Sequence, residues 1–169
     1  MRIITADQIN ARAPYHVTEV AENAFAFITN EGVRYSIGFM EDTNLGISDI
    51  YHFYITNIDN QKTQHDPLLS ETVFVTLEEF FNSSNRSMLY LCDMHDNRQA
   101  VRNRLFVYWF SNHAKHTLLT LITREFEYQN DVYFTGLILR NDNPQYSDII
   151  NTFNGFLNNL PNEFPNSKE

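Results

Sequence analysis

Alternating apolar and polar positions mark the early part of the chain. Phe25 and Phe27 alternate with Ala26 and Ile28, while Val33, Tyr35, Ile37 and Phe39 alternate with Arg34, Ser36 and Gly38. A period of two puts each set on one face of a strand, and Asn30-Glu31-Gly32 between them supplies the backbone freedom of a tight turn. The stretch therefore predicts a half-buried antiparallel hairpin, and Ile50 to Thr56 predicts a third strand after a polar loop. The period then lengthens. Leu69, Val73, Leu77, Phe80 and Phe81 recur at helical spacing behind Asp66-Pro67, where an aspartate can cap the free amides and the fixed φ of proline suits the first helical position. The polar run Asn82-Ser83-Ser84-Asn85 ends that helix.

Met88 to Cys92 predicts a short buried strand, and a second helix is predicted from Asp96 to about Phe110, with Gln99 completing a variant of the capping box. His116 to Thr123 and Val132 to Leu139 flank the polar Glu125 to Asp131 and predict a second antiparallel pair. A last helix is predicted from Asn143-Pro144, with Tyr146, Ile149, Ile150, Phe153, Phe156 and Leu157 as its apolar face and Pro161 and Pro165 marking its exit. The order β-β-β-α-β-α-β-β-α, with hairpin-joined strands, implies an α+β fold, a mostly antiparallel sheet packed against helices in a single domain. Residues 1–14 show little periodicity and predict a poorly specified lead-in with room for one helical turn; 15–160 form the domain, and 161–169 a polar C-terminal tail.

Composition narrows the class without naming a function. With 169 residues, 14 Phe and 9 Tyr against 5 Gly and 5 Pro, the chain can build a packed core without disulfides or metal. The net charge of -9 opposes nucleic acid, whose phosphates need Lys and Arg, and suits a basic partner. The single cysteine, Cys92, excludes an intramolecular disulfide and fits a reducing cytoplasm. Neither a secretory signal nor a membrane span is expected, because the longest purely apolar run, Leu105 to Phe110, is too short. The glycines at 32, 38, 46, 136 and 155 are scattered, which removes phosphate-loop and dinucleotide fingerprints, and no cofactor is expected. The six histidines, 16, 52, 65, 95, 113 and 116, form no zinc pattern, so no metal is expected either. Most aromatics such as Tyr51, Phe53, Tyr133 and Tyr146 are expected in the core.

The densest chemistry runs from Leu89 to Phe110. Tyr90, Cys92 and Asp93 stand at a strand end, followed by Asp96, Arg98 and Gln99, then Arg102, Arg104, Leu105 and Phe106, and finally Trp109 and Phe110. This pattern resembles a small bacterial family of uncharacterised proteins, a domain of unknown function. The Gly32 to Tyr35 hairpin, the Thr72 to Phe81 helix and the Asn143-Pro144 start extend the resemblance over Tyr15 to Asn158, while Asn97 departs from it where glycine is more usual. The resemblance implies no activity.

The candidate cluster is Asp93, Asp96, Arg98, Gln99, Arg102 and Arg104. At 100° per residue, Arg98, Val101, Arg102, Leu105 and Trp109 share one stripe, read as core-facing, with Tyr108 at its edge and Arg104 to one side. A cation in a first helical turn opposes the macrodipole, so Arg98 calls for a carboxylate or a bound anion. The preferred reading is a structural staple in which Arg98 and Arg102 fork onto Asp93 or another carboxylate, since ion-pair networks are often architectural. The alternative is a pocket whose arginines grip a phosphate or carboxylate, which Asp93 and Asp96 would partly repel. Cys92 with His95 and an aspartate holds the residue types of a thiol nucleophile, but four residues in a row rarely build one, and a packed cysteine is preferred. The expected function is a small acidic cytosolic interaction protein of immunity, antitoxin or defence-accessory type without catalytic activity. The alternative is an anionic small-ligand binder or enzyme built on Asp93, Asp96, Arg98 and Arg102.

Overall fold

The computed structural model describes residues 1–92, 99–112 and 116–163. Along them run α1 (Ala6–Asn10), β1 (Thr18–Ala21), β2 (Ala24–Ile28), β3 (Arg34–Glu41), β4 (Ile50–Asn57), α2 (Pro67–Phe80), β5 (Ser87–Leu91) and α3 (Gln99–Asn112). A short 3-10 turn (His116–Leu118), β6 (Leu119–Tyr128), β7 (Asp131–Arg140) and α4 (Tyr146–Glu163) complete the order. The seven strands form one sheet in the order β1-β2-β3-β4-β5-β7-β6. The β4–β5 pair is parallel, and every other neighbouring pair is antiparallel. The parallel pair follows from its connection, since a crossover carrying α2 returns the chain in the same direction. The fold is thus α+β in a single domain, as the hairpin pattern implied.

Side-chain alternation divides the core in two. Phe25, Ile37, Phe39, Tyr51, Phe53, Met88, Tyr90 and Ile138 point to one face and pack with Val73, Leu77 and Phe80 of α2 and Phe110 of α3. Ile50, Leu89, Leu137 and Leu139 point to the other and pack with Ile149 and Phe153 of α4. Tyr51 and Phe53 are buried as expected, whereas Tyr133 and Tyr146 are only half-buried. The start of α2 matches its signal: Asp66 accepts the Leu68 amide at 2.9 Å, and Pro67 opens the helix.

Several expectations need correcting. The lead-in is ordered by a capping box, in which the Gln8 amide donates to Thr5 Oγ1 and the Thr5 amide to Gln8 Oε1, and Ile3, Ile4 and Ile9 join the main core. A strand before the expected first one, β1, escaped the pattern because its residues sit almost wholly on the exposed edge and its pairing breaks at a bulge. Glu125 to Tyr128, expected as loop, extends β6, and the turn is only Gln129 and Asn130, both at positive φ (51° and 67°). That is the backbone a two-residue hairpin with native twist requires. Phe126 stacks on Tyr133 at 5.1 Å, so alternation continues beneath the charges. Residues His116 to Leu118 form the 3-10 turn rather than strand, and α4 begins at Tyr146 and runs past Pro161 to Glu163. The expected helix start at Asp96 and the tail from 164 onward lie outside the described residues.

Candidate interaction site

The end of β5 and the helix that follows it are joined by a buried aromatic anchor. Alternation along β5 turns Tyr90 toward the main core, where the register sets it opposite Phe53 on β4 and Gly136 on β7. A side chain at 136 would have no room: a Cβ there would lie 2.1 Å from Tyr90 Cε1. The ring instead packs on Phe106 of α3 at 4.4 Å, and its hydroxyl donates to Asn103 Oδ1 at 3.0 Å. The strand end is pinned as well, since Thr135 Oγ1 donates to the Tyr90 carbonyl at 2.7 Å and the Cys92 amide to the Phe134 carbonyl at 2.9 Å. Burial pushes the Tyr90 phenol well above its ordinary range, so it remains a neutral donor at any physiological pH.

This anchor sets the rotation of α3, and it differs from the expected one. Asn103, Phe106 and Phe110 face the sheet, and Trp109 meets Phe74 of α2 edge-on at 6.4 Å. Val101, Leu105 and Tyr108 face solvent, with 39%, 46% and 64% of their surface exposed. Arg102 and Arg104 are exposed too, on either side of that row. Of the stripe expected to face the core, Val101, Arg102 and Leu105 are thus exposed, Trp109 packs inward, and Arg98 lies outside the described residues. The reason lies in the run Leu105 to Phe110, which puts a hydrophobe on every side of the helix and lets periodicity fit more than one face. The 3- and 4-residue spacing of Asn103, Phe106 and Phe110 also fits a helix face, but its polar first member concealed it.

Of the six candidate residues, the structure places Arg102 and Arg104 on the outside of α3, and Gln99 opens the helix backbone. Asp93, Asp96 and Arg98 lie outside the described residues, as do His95 and His113. Arg102 is exposed rather than core-facing, and the aspartates with which the staple reading pairs it lie outside the described residues. Cys92 is buried and its thiol is pushed up to about 11 by burial, against a smaller lowering by the Arg102 charge. A thiol so raised is a poor nucleophile at neutral pH, in keeping with a packed cysteine.

One further polar pair lies across the sheet. His52 Nε2 meets Asp42 Oδ2 at 2.5 Å, and Asp42 Oδ1 accepts the amides of Asn44 and Leu45 at 2.8 and 2.9 Å. Burial raises the Asp42 carboxyl, but the His52 contact and the two amides outweigh it and hold the group below its ordinary value. The pair organises the β3–β4 loop, which brings Leu45 and Ile47 onto the core under α4. Among the described residues no three His, Cys, Asp or Glu side chains stand together as metal ligands, and no helix is long and apolar enough to cross a membrane.

The model of a family of unknown function, DUF6169, matches residues 65–155, from the cap of α2 to the middle of α4. Leu89 to Phe110 falls within that span, and the Gly32 to Tyr35 hairpin falls outside it. No curated protein and no solved structure matches the chain.

Proposed function

The chain belongs to the family of unknown function DUF6169, and on that premise we propose that it is a bacterial, cytosolic interaction protein that works by binding another protein, in the manner of an immunity, antitoxin or defence-accessory protein, without catalysis. One observation carries the reading. Val101, Leu105 and Tyr108 form a continuous exposed apolar row on a helix whose opposite side is fixed to the sheet. Scattered exposed hydrophobes need no explanation, but a contiguous row rimmed by charge is the usual mark of a protein-binding surface. The motif of Tyr90, Cys92, Arg102, Arg104 and Trp109 supports it, because its inward members hold the helix and its outward members border the row.

The test is retention of a partner at fixed stoichiometry. Tagged full-length protein expressed in its own host is purified at near-physiological salt, and the mass of the eluted complex is measured by light scattering and native mass spectrometry. A defined complex with one other protein is expected. A chain that elutes alone at every growth condition tried refutes the reading.

A further inference from the structure

We propose that β6, the last strand of the sheet, takes an extended basic segment of another protein as an added strand, with lysines or arginines of that segment against Glu125 and Glu127. The inference goes beyond the α3 row, on which the interaction reading rests, and stands on observations of its own.

The backbone supplies the template. β6 stands at one end of the sheet order, and among the described residues β7 is its only strand neighbour. The hairpin turns at Gln129 and Asn130, so Tyr128 and Asp131 close it as a hydrogen-bonded pair, and the even-numbered residues of β6 direct their amides and carbonyls to β7. The amides and carbonyls of Leu121, Thr123, Glu125 and Glu127 then point away from the sheet, and no backbone hydrogen bond among the described residues reaches them. Arg124 covers part of that edge with its side chain, donating to the Thr123 carbonyl at 2.9 Å and to Asn154 Oδ1 at 3.0 Å. The stretch from Glu125 to Glu127 has no such cover. The opposite edge is a poorer template, since β1 has four residues and a bulge against ten residues in β6.

Charge selects the occupant. Between Arg124 and Arg140 the chain holds Glu125, Glu127 and Asp131 and no lysine or arginine. All three carboxylates are exposed, and none of their side chains is hydrogen-bonded or ion-paired among the described residues. Arg124 projects to the α4 side, where it meets Asn154, and alternation sends Glu125 and Glu127 to the other side. Two uncompensated carboxylates thus stand in line on one face of the edge, while Ile122 and Phe126, both half-buried, stand on the opposite face. A strand with cations at every second position and apolar residues between them matches both faces, because opposite charges directly across a strand pair attract and like charges repel. A second copy of this chain does not match. Antiparallel self-pairing about a two-fold axis at residue 124, 125 or 127 sets Arg124, Glu125 or Glu127 against its like, and an axis at 126 sets Glu125 against Glu127. An axis at Thr123 sets the two glutamates opposite Leu121 and Leu119. The charges that deter self-pairing therefore favour a basic strand, and they repel the phosphates of nucleic acid or anionic lipid.

The probe is a synthetic peptide of about ten residues in which lysine and valine alternate. One twin carries glutamate for lysine, and another has its lysine amides N-methylated, which keeps the charge and removes the donors that would face β6. Binding to the full-length protein is measured by calorimetry, and amide hydrogen exchange by nuclear magnetic resonance. The lysine peptide should bind, exceed the glutamate twin by at least about tenfold, and weaken severalfold at ~300 mM salt. The N-methylated twin should not bind. Exchange should slow at Thr123, Glu125 and Glu127 on binding and stay unchanged at Arg124 and Phe126, whose amides already face β7. The double variant Glu125→Lys/Glu127→Lys should reverse the preference between the lysine and glutamate peptides and melt with the wild type, since both positions are exposed. Equal affinity for those two peptides, no affinity for either, undiminished binding of the N-methylated twin, or slowed exchange only outside β6 overturns the proposal. So does a wild-type dimer that the double variant dissolves, or tighter binding to duplex DNA than to the lysine peptide. Each of these outcomes leaves the reading of α3 in place, which stands or falls on retention of a native partner.

Discussion

Replacing Gly136 by alanine tests the anchor beneath α3, because two effects of opposite sign meet there. Gly136 lies on β7 with no positive φ, so removing its unfolded-state freedom should by itself stabilise the protein by about 0.4–1 kcal/mol. The added Cβ, however, would stand 2.1 Å from Tyr90 Cε1 and 2.3 Å from Cζ. Ordinary carbon contacts need about 3.5 Å or more, so the ring must retreat by about 1.5 Å. It has nowhere easy to go, being buried, packed on Phe106 at 4.4 Å and hydrogen-bonded to Asn103 at 3.0 Å. Overpacking costs about 1–3 kcal/mol and the lost hydrogen bond about 1 more, which outweighs the entropic gain and leaves a net loss of about 1–3.5 kcal/mol. Urea unfolding followed by circular dichroism should show it, and thermal melting should show a fall in Tm of about 2–14 °C. In a Tyr90→Leu background the penalty should shrink below about 1 kcal/mol, since the obstructing ring is gone. A Gly136→Ala protein as stable as wild type, or an undiminished penalty without the tyrosine, would refute the geometry.

Two other outcomes follow from the buried polar groups. Asp42→Asn should destabilise by about 1–2 kcal/mol near neutral pH, through the loss of charge-assisted bonds from His52, Asn44 and Leu45. Because the folded carboxyl is held below its ordinary value, its contribution is full above the ordinary carboxylate range and fades as pH falls through the folded value; wild type and variant should therefore converge in melting experiments once the pH is below that folded value. Cys92, with its thiol raised to about 11, should react with iodoacetamide at pH 8 about a hundredfold more slowly in the native protein than in urea. Labelling at equal rates would show that the thiol is neither buried nor raised.

What was legible in the sequence was whatever rested on local pattern. The hairpin of Phe25, Phe27, Tyr35 and Ile37 follows from period two and a glycine turn, with Gly32 at φ 77°. The start of α2 follows from one aspartate and one proline. The failures have physical causes of other kinds. β1 shows little alternation because an edge strand outside the helices buries little, and pairing through its backbone leaves no trace in residue choice. Glu125 and Glu127 read as loop because charge dominates composition, although Phe126 and Tyr128 keep the strand period between them. The pairing of Asp42 with His52 depends on how a polar loop closes over α4, which no spacing rule encodes. The orientation of α3 was the costliest loss, because it decides which members of the motif are exposed and which are packed.

That orientation has a definite determinant in the structure. A helix with Leu105, Phe106, Val107, Tyr108, Trp109 and Phe110 in succession could bury apolar surface in more than one rotation, and hydrophobic burial, being non-directional, discriminates weakly between them. A hydrogen bond discriminates strongly. Asn103 reaches the Tyr90 hydroxyl in the observed rotation, and a roll that buried Val101 and Leu105 would carry the amide away and leave a buried phenol without its acceptor. Gly136 completes the arrangement by leaving the space in which the Tyr90 ring lies. Three residues on three elements thus fix which apolar row of α3 remains outside, and among the described residues that row belongs to neither core cluster. On the interaction reading proposed above, stability and recognition sit on opposite sides of one helix, so substitutions at Leu105 or Arg104 are expected to alter binding without unfolding the protein, whereas changes at Tyr90, Asn103 or Gly136 are expected to alter both.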